Sequence, residues 1–243
     1  MHRKAELNCE RDKTGCCICG IPLGTFLLEL STRTLERVLH LLKYLKGTRQ
    51  AYLEYHQQGS AVPFGYSDAD WAQNKGDRKS LTGFILNMAG APITWSFKGQ
   101  ATIALSSTEA EYVALSATAK EALWLRSVLL EMGRELPAGT KLHEVNESAM
   151  KLVKNPVLHA RSKHIDICHY AIRQFAKDGK LQIERKSTDQ MVADMLTKPL
   201  SGGRIQYLAE MTGIQLNARR WGPNEDSNVA RNVGGEGGSR DAR

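Results

Sequence analysis

Apolar side chains recur at Leu35, Val38, Leu39, Leu41, Leu42 and Leu45, and Gly47 follows. That spacing predicts one amphipathic helix with a glycine stop. The period then shortens. AYLEYHQQGS reads as a strand and turn. VPFGYSDADW, GFILNMAG and APITWSF read as three successive strands separated by polar or Gly-Ala-Pro turns. SSTEAEYVALSATAKEALWLRSVLLEM is long, rich in Ala and Leu and free of Gly and Pro, so it predicts a long helix. KLHEV reads as a short strand, NESAMKLVKN as a short helix stopped by Pro156, and ARSKHIDICHYAIRQFAKDG as a helix ending at Gly179. KLQIERKS is a further strand, STDQMVADMLTKPL a helix opened by Ser187 or Thr188, and a last helix is expected over roughly 203–215. The order predicts an α/β fold, a mixed sheet with helices on its faces.

Residues 1–31 show no sustained period, and 217–243 are rich in Gly, Asn, Asp and Arg. Both are expected to be disordered. The 243 residues carry 42% hydrophobic and 24% charged side chains, ordinary for a chain with a real core. No apolar run reaches the roughly 18 residues of a membrane span, so no membrane partner is expected. A net charge of +7 favours an acidic partner, of which nucleic acid is the commonest. Cys9, Cys16, Cys17 and Cys19 crowd the start while Cys168 stands alone. The odd, uneven count argues for a reducing intracellular compartment, cytoplasmic or nuclear, rather than a disulfide framework. CERDKTGCCIC lacks the paired CxxC spacing of a zinc site.

The candidate chemistry lies in acids. Asp68 and Asp70 share a strand face only if the strand runs on through Asp70; otherwise DAD is a turn. Glu109 and Glu111 open the long helix, where Ser106 with Glu109 and Thr108 with Glu111 both have capping-box spacing. Either glutamate serves a cap or faces a metal. Asp194 sits among apolar neighbours and either faces inward, at an electrostatic cost, or lies on an exposed face paired with Lys198. Trp71, Trp95 and Trp124 are expected to pack in the core or on the sheet. His159, His164, Cys168 and His169 lie close in sequence, but no metal role is assigned to them.

Six motifs, GYSDADWA, DRKSLTGF, ALSSTEAEYVAL, EALWLR, NPVLHARSKHIDI and DQMVADMLTKPL, resemble the ribonuclease H domain at the end of copia-type retrotransposon polyproteins. KYLKGT resembles the tail of the reverse transcriptase just upstream. The resemblance covers about residues 33–200. It implies a ribonuclease H-like, five-stranded mixed sheet, three antiparallel strands first, flanked by helices. The implied division is a leader at 1–31, the reverse-transcriptase tail at 32–60, the ribonuclease H-like domain at 61–200, a helix at 201–216 and a tail at 217–243. The implied chemistry is hydrolysis of the RNA strand of an RNA–DNA hybrid by carboxylates holding magnesium, or manganese in its place. Carried over by motif, Asp68, Glu111 and Asp194 are the expected catalytic and metal-binding acids. Asp70 becomes a turn or rim residue. Lys75, Arg78, Lys79 and Lys98 flank the site strands and are the expected phosphate contacts. The reverse transcriptase and integrase of a parent element are the implied partners.

One departure stands out. Where the family has an aspartate before NQSA, this chain has Val145 in HEVNESA. Strand alternation points the adjacent Glu144 to the opposite face, and Glu147 has the reach but begins a helix; only a shift in local register would bring either one to the site. Impaired turnover is therefore expected. The alternative is a catalytically dead nucleic-acid-binding module or a relic polyprotein fragment that starts at a downstream methionine with an unrelated leader.

Overall fold

The computed structural model describes residues 32–57, 59–73, 76–136, 138–154 and 163–216, with side chains of 32–34, 154 and 163–169 left aside. The expected leader, the tail at 217–243, Lys75, Pro156 and His159 lie outside the described residues, as do the side chains of His164, Cys168 and His169.

Helix α1 (Thr32–Gly47) precedes a two-residue strand β1 (Tyr52–Leu53). Then come β2 (Phe64–Asp70), β3 (Leu81–Met88), β4 (Ala91–Gly99), α2 (Ser107–Glu131), β5 (Thr140–Glu144), α3 (Glu147–Lys154), α4 (Lys163–Lys177) and β6 (Leu181–Arg185). The chain ends its described part with α5 (Asp194–Thr197), α6 (Gly202–Met211) and β7 (Ile214–Gln215). The main sheet has five strands in the order β4-β3-β2-β5-β6. β2 pairs antiparallel with β3, and β3 with β4; β2 pairs parallel with β5, and β5 with β6. This is the mixed sheet read from the sequence, with its three antiparallel strands first.

Alternation along the strands decides what each face receives. Phe84, Leu86 and Leu142 point to a core with Tyr112, Leu115, Ala119 and Leu125 of α2 and Ile172 of α4. Tyr66 and Ile85 point to the other face, where Met191, Val192 and Ala193 cover them beside Val145, Met195 and Leu196. Both central faces are thus dry, and a polar group at the strand ends must find a partner inside the protein.

Several expectations need correction. The strand carrying YSDAD runs through Asp70, so Asp68 and Asp70 share a face. The late segment is not one helix: a 3-10 turn at Thr188–Gln190 gives way to extended backbone at Met191, and only the single turn of α5 follows. Burial of Met191, Val192 and Ala193, all 0% exposed, overrides helical propensity there. The last helix stops at Met211, because the chain reverses at Gly213 (φ +75°), where a Cβ would meet the Gly90 carbonyl oxygen at 2.0 Å. That reversal creates β7, which pairs antiparallel with β1, so the expected strand at AYLEY shrinks to two residues on a small second sheet. Trp71, Trp95 and Trp124 are 47%, 50% and 57% exposed, so none is a core residue. Trp71 follows the end of β2, Trp95 lies mid-strand on the open side of β4, and Trp124 lies on a solvent-facing side of α2.

Candidate active site

Four elements end at one place. Asp68 lies two residues from the carboxyl end of β2 and is 1% exposed. It pairs with Gly83 of β3, and a Cβ on Gly83 would stand 2.6 Å from Thr197 Cγ2. The bare glycine therefore lets α5 settle onto the sheet directly opposite Asp68. Thr197 Oγ1 then donates to Asp68 Oδ2. Lys198 Nζ reaches Asp68 Oδ1 at 2.9 Å and Asp194 Oδ1 at 2.6 Å. Asp194 is 3% exposed and opens α5. The i,i+4 pair with Lys198 forms, with Asp194 buried and the lysine side chain 37% exposed.

Glu111 arrives from α2. The Ser106–Glu109 cap forms: Ser106 Oγ accepts from the Glu109 N–H at 3.2 Å, and Glu109 Oε2 accepts from the Leu105 N–H at 2.8 Å. With the helix end satisfied by that pair, Glu111 turns inward, and its Oε2 accepts the Ala69 N–H at 2.8 Å. Asp68, Glu111 and Asp194, far apart along the chain, thus approach one another at the carboxyl end of β2.

Glu144 joins them, on the side opposite to where Val145 packs. It is 0% exposed. Its Oε1 accepts the N–H groups of Val145 and Asn146, each at 3.0 Å, and its Oε2 is buried without a hydrogen-bond partner. Sequence reasoning placed Glu144 on the far face from Val145, which is correct, but took that face to lie away from the acids. It is the α2 face, from which Glu111 also comes. Val145 instead fills the apolar cluster on the α5 face.

The electrostatics follow from burial without enough cations. Burial first, then the charges of Glu144 and Asp68, push the Glu111 carboxyl up to about 9. Burial, with a contribution from Asp68, pushes Glu144 up to about 8 against the pull of its two backbone donors. Burial likewise raises Asp70 and Asp194. Lys198 touches Asp68, and its charge favours ionisation of Asp70, Glu111, Glu144 and Asp194. Its own pKa is raised: the charges of Asp68 and Asp194 outweigh the cost of burial. Thr197 and Lys198 were missed as site residues in the sequence; the signal was the TKP directly after the acid-bearing apolar turn.

Hard carboxylate oxygens, one of them buried and unpartnered, are the donor type that a divalent cation takes. The donor chemistry fits; the arrangement is open. Among the described residues no three His, Cys, Asp or Glu side chains form a ready metal cage, and an ammonium bridges Asp68 and Asp194. Of the expected phosphate contacts, Arg78 and Lys79 lie in the β2–β3 connection and Lys98 near the end of β4. All three occupy the same end of the sheet as Asp68, because β3 runs antiparallel to both neighbours.

No protein-family model matches the chain. Over 184 residues it is 38% identical to the retrovirus-related Pol polyprotein from transposon TNT 1-94 of Nicotiana tabacum, a match covering 75% of this chain and 14% of that protein. Over 192 residues it is 36% identical to the Pol polyprotein from transposon RE1 of Arabidopsis thaliana, covering 79% and 13%. The chain thus spans about one-seventh of the length of these curated relatives. Among known structures, the N-terminal RNase H domain of a Mycobacterium tuberculosis protein, fused to maltose-binding protein, is similar at a TM-score of 0.41 and 13% identity. That match covers 62% of this chain and 98% of the other.

Proposed function

We propose, from the premise that this chain belongs to the copia-type retrotransposon Pol polyproteins as a ribonuclease H-like segment, that it hydrolyses the RNA strand of RNA–DNA hybrids. One observation carries the reading: Asp68, Glu111 and Asp194 converge on one strand end from three separate elements. Asp68, Glu111 and Asp194 would hold magnesium or manganese. A cation bound there supplies Lewis-acid charge to a phosphate and a lowered pKa to water.

The chain's own residues do the rest. Thr197 and the backbone of β2 fix Asp68, so its carboxylate is presented in one orientation. Lys198 holds Asp68 and Asp194 together, and it would share that place with, or yield it to, a bound cation. Arg78, Lys79 and Lys98 would take the phosphates of the hybrid along the same end of the sheet. Salt-sensitive binding to either strand follows from such contacts and requires no base reading.

Binding without turnover is the second reading, favoured by Val145 in the place of an aspartate and by the Lys198 ammonium between two of the acids. A labelled RNA–DNA hybrid, incubated with magnesium and the full chain, separates the two. Hydrolysis of the RNA strand that Asp68→Asn lowers by about two to four decades supports the enzyme. Salt-dependent retention of an intact hybrid by both proteins supports the binding module instead.

A further inference from the structure

Glu144 is the buried group that the reading above leaves unused. It closes β5, one residue beyond His143, which pairs with Tyr66 two positions before Asp68. It shares a strand face with Leu142, whose neighbours belong to α2, and α2 carries Glu111. Val145 cannot exchange places with it, since Val145 packs with Tyr66, Ile85 and Met191 on the opposite face. Two backbone N–H groups fix one Glu144 oxygen at 3.0 Å, which leaves the second aimed by a rigid carboxylate and without a partner. A wholly buried carboxyl oxygen without a partner is costly to leave unsatisfied, and costly to ionise unless a cation stands beside it.

We propose that Glu144 supplies the fourth carboxylate of the site, reaching the cations from the α2 face in place of the aspartate that Val145 displaces. The inference rests on the nuclease reading. It makes Val145 a shift of the acid by one residue and one sheet face rather than the loss of it. The longer glutamate side chain spans the change of face, and its backbone hydrogen bonds replace the strand geometry as the means of orientation.

Manganese titrated calorimetrically into the full chain tests this, using the unmodified protein, Glu144→Gln, Asp68→Asn and Val145→Asp. Glutamine keeps an oxygen for the Val145 and Asn146 N–H groups, so a purely structural role of Glu144 survives the exchange. Metal-free thermal melting checks this and is expected to be unchanged or raised. Glu144→Gln and Asp68→Asn should each weaken manganese binding by about tenfold or more, while Val145→Asp stays within about threefold of the unmodified chain. Cleavage of the hybrid should fall in step with the lost affinity. Binding that Asp68→Asn weakens and Glu144→Gln leaves intact overturns the assignment of Glu144 alone. Manganese uptake indifferent to both substitutions overturns the nuclease reading, and this inference with it.

Discussion

At the scale of single residues, Gly83 and Lys198 decide more than their chemistry suggests. Gly83 faces Asp68, and its missing Cβ is the space in which Thr197 sits. Gly83→Ala should push α5 off the sheet, lower stability by about 1–3 kcal/mol and weaken metal uptake; melting and titration of the same sample would show both effects. Lys198 counters two buried carboxylates at once. Lys198→Met leaves them without a counter-charge, so the metal-free protein should lose about 1–3 kcal/mol, less than for a fully buried pair because the lysine is partly exposed. Added manganese should recover more stability in this variant than in the unmodified chain, since no ammonium then competes for the site. A variant as stable as the original without metal would show that Lys198 is not the resident counter-charge.

At the scale of elements, two helices illustrate different origins of order. α2 starts where Ser106 caps it, and that cap frees Glu111 to turn toward the sheet. Ser106→Ala should cost about 1 kcal/mol in denaturant unfolding, with hybrid cleavage falling only as far as α2 frays. α1 was legible from its period, yet Leu35, Leu42 and Leu45 remain more than half exposed. The chain following it is tied down instead by β1–β7 pairing, by the Tyr55 hydroxyl on the Pro92 carbonyl and by the His56 N–H on the Ala89 carbonyl. Replacing Leu35, Leu42 and Leu45 together by serine should therefore shift the melting temperature by about 2 °C or less, read by circular dichroism.

At the scale of the molecule, the acid cluster sets how stability responds to pH. Glu111 and Glu144 keep protons in the folded chain up to about 9 and about 8, against 4.5 for an ordinary glutamate. Asp70 and Asp194 are raised in the same direction. Between the ordinary and the raised values the folded chain binds more protons than the unfolded one, so stability declines as pH rises. The metal-free melting temperature should already be declining at about pH 5 and fall further toward about pH 9, and Glu111→Gln should flatten that slope. A saturating divalent cation should flatten it as well, with protons released on binding.

The sequence by itself determined the mixed sheet and the element order as far as β6, and the family motifs marked Asp68, Glu111 and Asp194 as candidates. Periodicity and caps are local, and the motifs around Asp68, Glu111 and Asp194 are specific. Only the tertiary structure decided which side each acid faces. Strand alternation separates Glu144 from Val145 but cannot say which face lies against α2. The role of Gly83 needed Thr197 packed against it, and Lys198 acquired its position only when burial of Met191, Val192 and Ala193 broke the expected helix into one short turn. Local pattern sets what a segment can form; the assembled core sets which charges are left without water and must meet one another.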